Sequence, residues 1–224
     1  MSVGKAALLA LALGGAAFPV VPDRPIELFP KGSLENWEYV AGSPADIAQV
    51  ASVADGVVTV AGKPSGYLTT RVVYAEYALH AEWRWTDATA ASKNGGVLVN
   101  ITSGPVQQGL WPTSFQVQLK TEHEGDVLSM GDAHFIETPT TLGRPASPSN
   151  TLARRENTAG KSLGDWNSVD VTVRGDVVEA TVNGVLQNRV SGCTPSSGRI
   201  GFQLEGQPYQ LRNVTISRLP KNAL

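Results

Sequence analysis

The chain offers few residues with chemistry of their own. Its 224 residues include 20 Asp and Glu, three His and one Cys. The densest acid–imidazole cluster is Glu122-His123-Glu124-Gly125-Asp126. It suits an acid–base site or a metal site, and the carboxylates of Glu124 and Asp126 would suit a hard divalent cation such as calcium. A solvated polar turn is the other reading. The spacing matches neither H-E-x-x-H nor an EF-hand loop. His134 follows eleven residues after His123 and could converge with it.

A second set is spread over two segments. In Tyr77–Trp85, His80, Glu82 and Arg84 alternate with Leu79, Ala81, Trp83 and Trp85. In the run around Phe115, Gln116 and Gln118 alternate with Phe115, Val117 and Leu119. Successive strand side chains point to opposite faces, so the polar residues occupy non-core positions and Trp83 and Trp85 read as core. If the two strands are neighbours, their polar residues form one patch of amides and charges. An ordinary Glu82–Arg84 surface ion pair is the alternative. Trp111 and Tyr209 read as loop aromatics able to stack on a ligand. Glu205 sits in a Gly- and Pro-bounded turn with an exposed carboxylate, and Arg212 could pair with it or hold the turn. Gly160-Lys161-Ser162-Leu163-Gly164 fits G-x-S-x-G in letters only, because no strand–helix pattern surrounds it. Cys193 reads as a buried structural thiol.

The elements that must position these residues are short strands. Val57–Val60, Val97–Ile101, Val169–Val173 and Val178–Val182 alternate in the same way, and Asp55-Gly56 and Asn183-Gly184 mark hairpin turns. Roughly a dozen such runs, with 23 Gly and 14 Pro between and within them, predict an all-β antiparallel sandwich or barrel. Residues 130–165 are Pro-rich and lack alternation, which predicts a long loop, either over a binding face or a surface excursion.

Lys5, the apolar run Ala6–Leu13 and the small residues Gly15 and Ala17 have the layout of a secretory signal peptide over residues 1–17. A buried N-terminal helix is the alternative. The apolar run is too short to span a bilayer. Export to a bacterial periplasm, envelope or medium follows, with no membrane span after leader cleavage. A net charge of −2 gives no electrostatic reason to bind nucleic acid. Residues 18–25 read as a linker, 26–219 as one domain and 220–224 as a tail. The sequence leaves the oligomeric state open.

Several of these pieces recur in a set order. Leu28-Phe29-Pro30-Lys31-Gly32, Trp37 and Gly66-Tyr67-Leu68 come first. Leu79–Arg84, Asn94-Gly95-Gly96-Val97 and Trp111–Gln118 follow. Gly164-Asp165-Trp166-Asn167, Gly198–Pro208 and Arg212-Asn213-Val214 close the series. Across about residues 26–219 this order resembles the 3-keto-disaccharide hydrolase domain family, also known as DUF1080. The resemblance implies a concanavalin A-like jelly-roll β-sandwich, frequent export, and carbohydrate as ligand or substrate. It adds Asn94 to Arg84, Trp111, Gln116, Gln118 and Glu205 as sugar-binding candidates. One departure stands out: the family's Phe-Glu-x-Gln strand reads Phe115-Gln116-Val117-Gln118, and an amide cannot act as a general base.

The implied substrate is a 3-keto sugar. Its ketone acidifies the C2 hydrogen, so a base can remove that hydrogen and expel the C1 substituent, with water added afterwards. Glu82 or His123 would be the base; Asp126, Glu124 or Glu205 the acid or a metal ligand; and Arg84 would polarise the ketone. Direct hydrolysis through two carboxylates is a variant. A non-catalytic carbohydrate-binding sandwich and an envelope assembly protein are the competing expectations.

Overall fold

The computed structural model describes residues 18–86, 93–137, 151–156, 161 and 164–219. The expected leader, the tail, parts of the 130–165 loop and most of the G-x-S-x-G stretch lie outside the described residues. In chain order the strands are β1 (Ile26–Glu27), β2 (Trp37–Ala41), β3 (Ala51–Ala54), β4 (Val57–Val60), β5 (Gly66–Thr70), β6 (Tyr77–Trp85), β7 (Gly96–Gln107) and β8 (Trp111–Gln118). They continue with β9 (Val127–Met130), β10 (Thr151–Leu152), β11 (Asn167–Arg174), β12 (Val177–Val182), β13 (Val185–Val190), β14 (Arg199–Leu204) and β15 (Tyr209–Arg218). The one α-helical turn among the described residues is Ile47–Val50, capped by Asp46.

The strands form two antiparallel sheets. The first has eight strands in the order β13-β12-β11-β6-β15-β4-β3, with β1 also paired to β15. The second has seven, in the order β10-β9-β8-β7-β14-β5-β2. This is the expected all-β jelly-roll sandwich. Alternation sets its packing. Along β6 every odd-numbered residue from Tyr77 to Trp85 is buried and every even-numbered one is partly exposed. The inward residues of β6 share one core with Phe115 and Val117 of β8 and Phe202 of β14. Phe29 stacks on Trp37 with centroids 4.4 Å apart, and Trp37 lies 5.8 Å from Phe202. Trp37 and Phe202 are fully buried, and each such side chain contributes about 1.5–3 kcal/mol.

Turns match their residues. Asn183 and Gly184 both adopt positive φ (49° and 80°), which is what a two-residue hairpin between right-twisted strands requires. Trp83 and Trp85 are core, as alternation predicts, and Cys193 is buried. Burial pushes the Cys193 thiol up to about 12, which suits an inert structural thiol.

Two expectations are corrected here. Tyr209 is not a loop aromatic: it opens β15, is fully buried, packs edge-on against Trp85 and donates its hydroxyl to the Gln203 carbonyl at 2.8 Å. More consequentially, β6 and β8 are not neighbours. They belong to opposite sheets whose core faces meet, so their polar faces point away from each other. The single patch joining Glu82 and Arg84 to Gln116 and Gln118 does not exist.

Candidate functional site

The outer face of the seven-stranded sheet carries a groove of about 520 Å³. Its polar floor comes from β7, β8 and β14. On β14, Ile200, Phe202 and Leu204 face the core, which turns Arg199, Gly201 and Gln203 outward. On β8, Gln116 and Gln118 face outward in the same way. Strand β7 lies between β8 and β14, and Gly96 of β7 pairs with Gln118. A Cβ built on Gly96 would fall 2.6 Å from Gln116 Nε2. The missing side chain at 96 is what lets Gln116 reach across β7 to β14.

The result is a continuous hydrogen-bonded chain. Gln116 Nε2 donates to Gln118 Oε1 and to Gln203 Oε1, both at 2.8 Å. Gln203 Nε2 donates to Glu205 Oε2 at 2.6 Å, and Asn94 Nδ2 donates to the same oxygen at 2.8 Å. The carboxylate sets the polarity. It can only accept when ionised, so Gln203 must turn its NH₂ toward Glu205 and its oxygen toward the NH₂ of Gln116. Gln116 and Gln203 are 2% and 4% exposed, so an unmade bond here would carry a full desolvation cost. Asn94 Oδ1, by contrast, is buried with no partner among the described residues.

Apolar groups wall the floor. Trp111, Leu128 and Met130 line the groove, and Trp111 and Met130 pack with Tyr67, Leu98 and Ile101 in a cluster separate from the main core. Trp111 is the first residue of β8 rather than a loop residue, and it is held in that cluster. Burial raises the Glu205 carboxyl above its usual range, with the Lys120 charge pulling partly back.

The outer face of the eight-stranded sheet holds a different cluster. Glu82 accepts from Arg212 Nε at 2.8 Å and from Asn213 Nδ2 at 2.6 Å. Burial pushes its carboxyl up, but the bonds from Asn213 and Arg212 outweigh this and hold it below the ordinary value. Arg84 donates from Nε to Gln210 Oε1 at 2.7 Å. The guanidiniums of Arg84 and Arg212 lie 4.6 and 4.2 Å from the Trp166 ring centroid. His80 Nδ1 lies 2.7 Å from Asp170 Oδ1. Glu82 thus pairs with Arg212 and not with Arg84. Arg212 is correspondingly not the partner of Glu205. Neither Glu82 nor Arg84 lines the groove.

The Glu122–Asp126 loop is an internal clasp at the end of β8. Glu124 is buried and bound by the Arg154 guanidinium. Asp126, also buried, takes the Arg154 N–H at 2.8 Å through Oδ1, and His123 Nδ1 lies 3.0 Å from its Oδ2. Both proposed calcium ligands are therefore committed to Arg154 and His123. Among the described residues no group of three or more His, Cys, Asp or Glu is arranged to hold a metal ion. The Leu119 N–H bonds the Gly95 carbonyl at 2.9 Å and the Thr121 N–H bonds the Lys93 carbonyl at 3.1 Å, which ties the loop to the segment carrying Asn94. His134 does not converge with His123; its backbone pairs with Thr194.

Residues 24–217 match the 3-keto-alpha-glucoside-1,2-lyase-like domain. The chain belongs to this family. No curated protein matches it. Two solved structures of candidate glycosyl hydrolases from Parabacteroides distasonis are each 19% identical to it, with TM-scores of 0.61 and 0.63. Each alignment covers 88% of this chain, and 100% and 94% of the respective neighbour. The carbohydrate-binding module CBM66 from Bacillus subtilis aligns with a TM-score of 0.51 at 11% identity, over 81% of this chain and 95% of the module. At these identities the likeness is one of fold.

In this lyase-like domain the amide at 116 has a definite structural role. Both hydrogens of its Nε2 go to carbonyl oxygens. A carboxylate in the same place would set oxygen against oxygen at Gln203, whose amide is held by Glu205. Gln203 and Gly96 escaped the sequence reading as site residues. The signal for Gln203 is its outward place between Phe202 and Leu204; the role of Gly96 depends on the strand order and is not visible along the chain.

Proposed function

We propose that the protein binds a 3-keto-glycoside in the groove of the seven-stranded sheet and removes its C1 substituent by 1,2-elimination, with Glu205 carrying the proton. The observation that supports this most is Glu205 itself. It is the only carboxylic acid among the described residues lining the groove, and two amides fix one of its oxygens. The other oxygen receives no hydrogen bond from the chain of amides. A half-buried carboxyl whose pKa is raised by burial is suited to take a proton and give it back.

The steps balance. The Glu205 carboxylate takes the C2 proton, and the electron pair moves into the C3 carbonyl to give an enolate. Amide hydrogens of Gln118 and Gln203 that the floor does not use can stabilise that oxygen. The enolate returns to the ketone as the C1=C2 double bond forms and the C1–O bond breaks. The departing oxygen receives the proton from Glu205. Addition of water across the double bond then gives the free 3-keto sugar. Export directed by residues 1–17 belongs to the same proposal.

Incubation with methyl 3-keto-α-glucoside tests it, following appearance of the conjugated enone by absorbance and of methanol by chromatography. Turnover that disappears in Glu205→Gln supports the proposal. Glycoside binding without product supports a second reading, a non-catalytic carbohydrate-binding domain, which the amide at Gln116 favours. Absence of both binding and turnover would remove the groove as a carbohydrate site.

A further inference from the structure

Glu205 ends a row of three residues that runs across the outer face of the sheet. The antiparallel register that pairs Gly96 with Gln118 continues beyond β8, because the Leu119 N–H bonds the Gly95 carbonyl and the Thr121 N–H bonds the Lys93 carbonyl. Lys120 therefore stands opposite Asn94. Leu119 is fully buried, so alternation turns Lys120 to the same outer face as Gln116 and Gln118. On the other flank, the register that pairs Phe202 with Val97 carries Glu205 to a place beside Asn94. The 2.8 Å bond from Asn94 Nδ2 to Glu205 Oε2 joins them. The row thus reads cation, amide, carboxylate.

A carboxylate that is to act as a base here faces opposing demands. It must be ionised to accept a proton, and its half-buried place favours the neutral form. The amides of Asn94 and Gln203 steady one oxygen but bring no countercharge. Lys120 brings one. Its ammonium forms no ion pair among the described residues, so its charge is not committed elsewhere. Burial raises the Glu205 carboxyl, and the Lys120 charge works against that rise. No described groove-lining residue other than Glu205 carries a charge. The other ionisable groups close by are Lys93, which precedes Asn94, and Tyr209, whose buried hydroxyl donates to the Gln203 carbonyl. Glu124 and Asp126, in the loop after Lys120, are bound by Arg154 and His123.

We infer that Lys120 is a positioning residue for the groove, holding Glu205 in its proton-accepting form from across Asn94; this rests on the reading of Glu205 as the proton carrier. Asn94 keeps the two charges in separate places along the row. When the C2 proton moves to Glu205, the negative charge passes to the sugar oxygen, and the ammonium remains as the fixed countercharge of the site.

Two measurements on the full chain test this. One is the pH dependence of kcat/KM on methyl 3-keto-α-glucoside. The other is the titration of the Glu205 carboxyl by carbon NMR of protein labelled at glutamate, where the Glu205 signal is the one absent from Glu205→Gln. Lys120→Met removes the charge and keeps the stem, so the titration and the acid limb of kcat/KM should both move to higher pH. At a fixed pH on that limb, kcat/KM should fall about threefold, the effect of charges two strand spacings apart, about 10 Å, in a medium between protein interior and water. Lys120→Arg should restore both, and Lys93→Met should leave both in place. Lys120→Gln serves if the methionine variant does not fold. A Glu205 titration that stays put in Lys120→Met, or moves equally in Lys93→Met, overturns the inference. A titration that moves without the acid limb takes Glu205 out of the base role, and the inference with it. If the wild-type protein shows no turnover, the elimination reading fails by itself, and the NMR titration still decides whether Lys120 governs Glu205.

Discussion

Gln116 on β8 donates to Gln203 on β14 at 2.8 Å, spanning the strand that lies between them. The passage is open because residue 96 of that strand is glycine. A methyl group there would meet the Gln116 amide nitrogen at 2.6 Å and its carbon atoms at 2.7 and 2.8 Å. Gly96→Ala should therefore break the chain of amides. The expected cost is about 1–3 kcal/mol, typical of overpacking, together with weaker glycoside binding. Denaturant unfolding and calorimetric titration of the same variant check both parts.

Gln116→Glu restores the acid that the family pattern carries but sets it against the Gln203 carbonyl oxygen, which Glu205 holds in place. With the carboxylate ionised, the contact to Gln203, whose amide is fixed by Glu205, cannot form, and the Gln118 amide must turn over to donate, so the variant should lose about 1–3 kcal/mol at pH 7. Protonation supplies one donor. The introduced acid should thus have a raised folded pKa, so its penalty shrinks as the pH is lowered toward 5. Urea midpoints at pH 7 and pH 5, compared with the wild type, measure the effect; an equal penalty at both would contradict the assignment of Gln116 as a double donor.

Burial holds Glu205 above the usual carboxylate range, and this has two consequences of known sign. As a base it works only when ionised, so kcat/KM should rise with pH through an apparent pKa above 4.5. As a folded group with a raised pKa, it stabilises the protein most below the unfolded value and loses that contribution as pH climbs through the folded one. Glu205→Gln keeps an oxygen for Gln203 and Asn94. It should leave thermal stability at pH 7 equal or higher while lowering turnover by about 10²-fold or more. A pH–rate profile and a melting curve on the pair of proteins decide this.

Glu82 behaves oppositely, because the hydrogen bonds from Asn213 and Arg212 hold it below its ordinary value. Its contribution to stability is present above the unfolded pKa and disappears as pH falls through the lower, folded one. Glu82→Gln should cost roughly 1 kcal/mol at pH 7, converge with wild type in acid, and leave turnover unchanged. Loss of activity in a folded Glu82→Gln protein would return the outer face of the eight-stranded sheet to consideration as the site.

Arg154 and Glu124 form a pair whose side chains are only 13% and 5% exposed. Removing one partner strands a buried charge. Arg154→Ala should lower stability by about 3–5 kcal/mol, and a second change, Glu124→Gln, should recover part of the loss. Melting temperatures of the two single variants and the double variant test the coupling.

The alternation of Tyr77–Trp85, Phe115–Leu119 and Val169–Val173 is a local property, two residues in period, and it was enough to predict strands, their buried faces and an antiparallel sandwich or barrel, the jelly-roll sandwich being implied by the family resemblance. Asn183-Gly184 similarly fixed its turn through backbone sterics alone. The same local rule placed Glu82 and Gln116 outward but could not say outward from which sheet. That choice belongs to pairings between residues far apart in the chain, β6 with β11 and β15, and β7, the neighbour of β8, with β14. The Glu122–Asp126 cluster was visible as a set of polar groups; its role as a clasp depends on Arg154, 28 residues beyond Asp126.

What the sequence determined by itself is thus the type of each residue's neighbourhood: strand or turn, inward or outward, able to titrate or not. What only tertiary structure decided is the company each outward residue keeps. Gln203 and Glu205 meet Asn94 and Gln116 because strand order brings β14 beside β7, and a hydrogen bond falls off within fractions of an ångström of its best distance. A one-dimensional pattern carries no such distance.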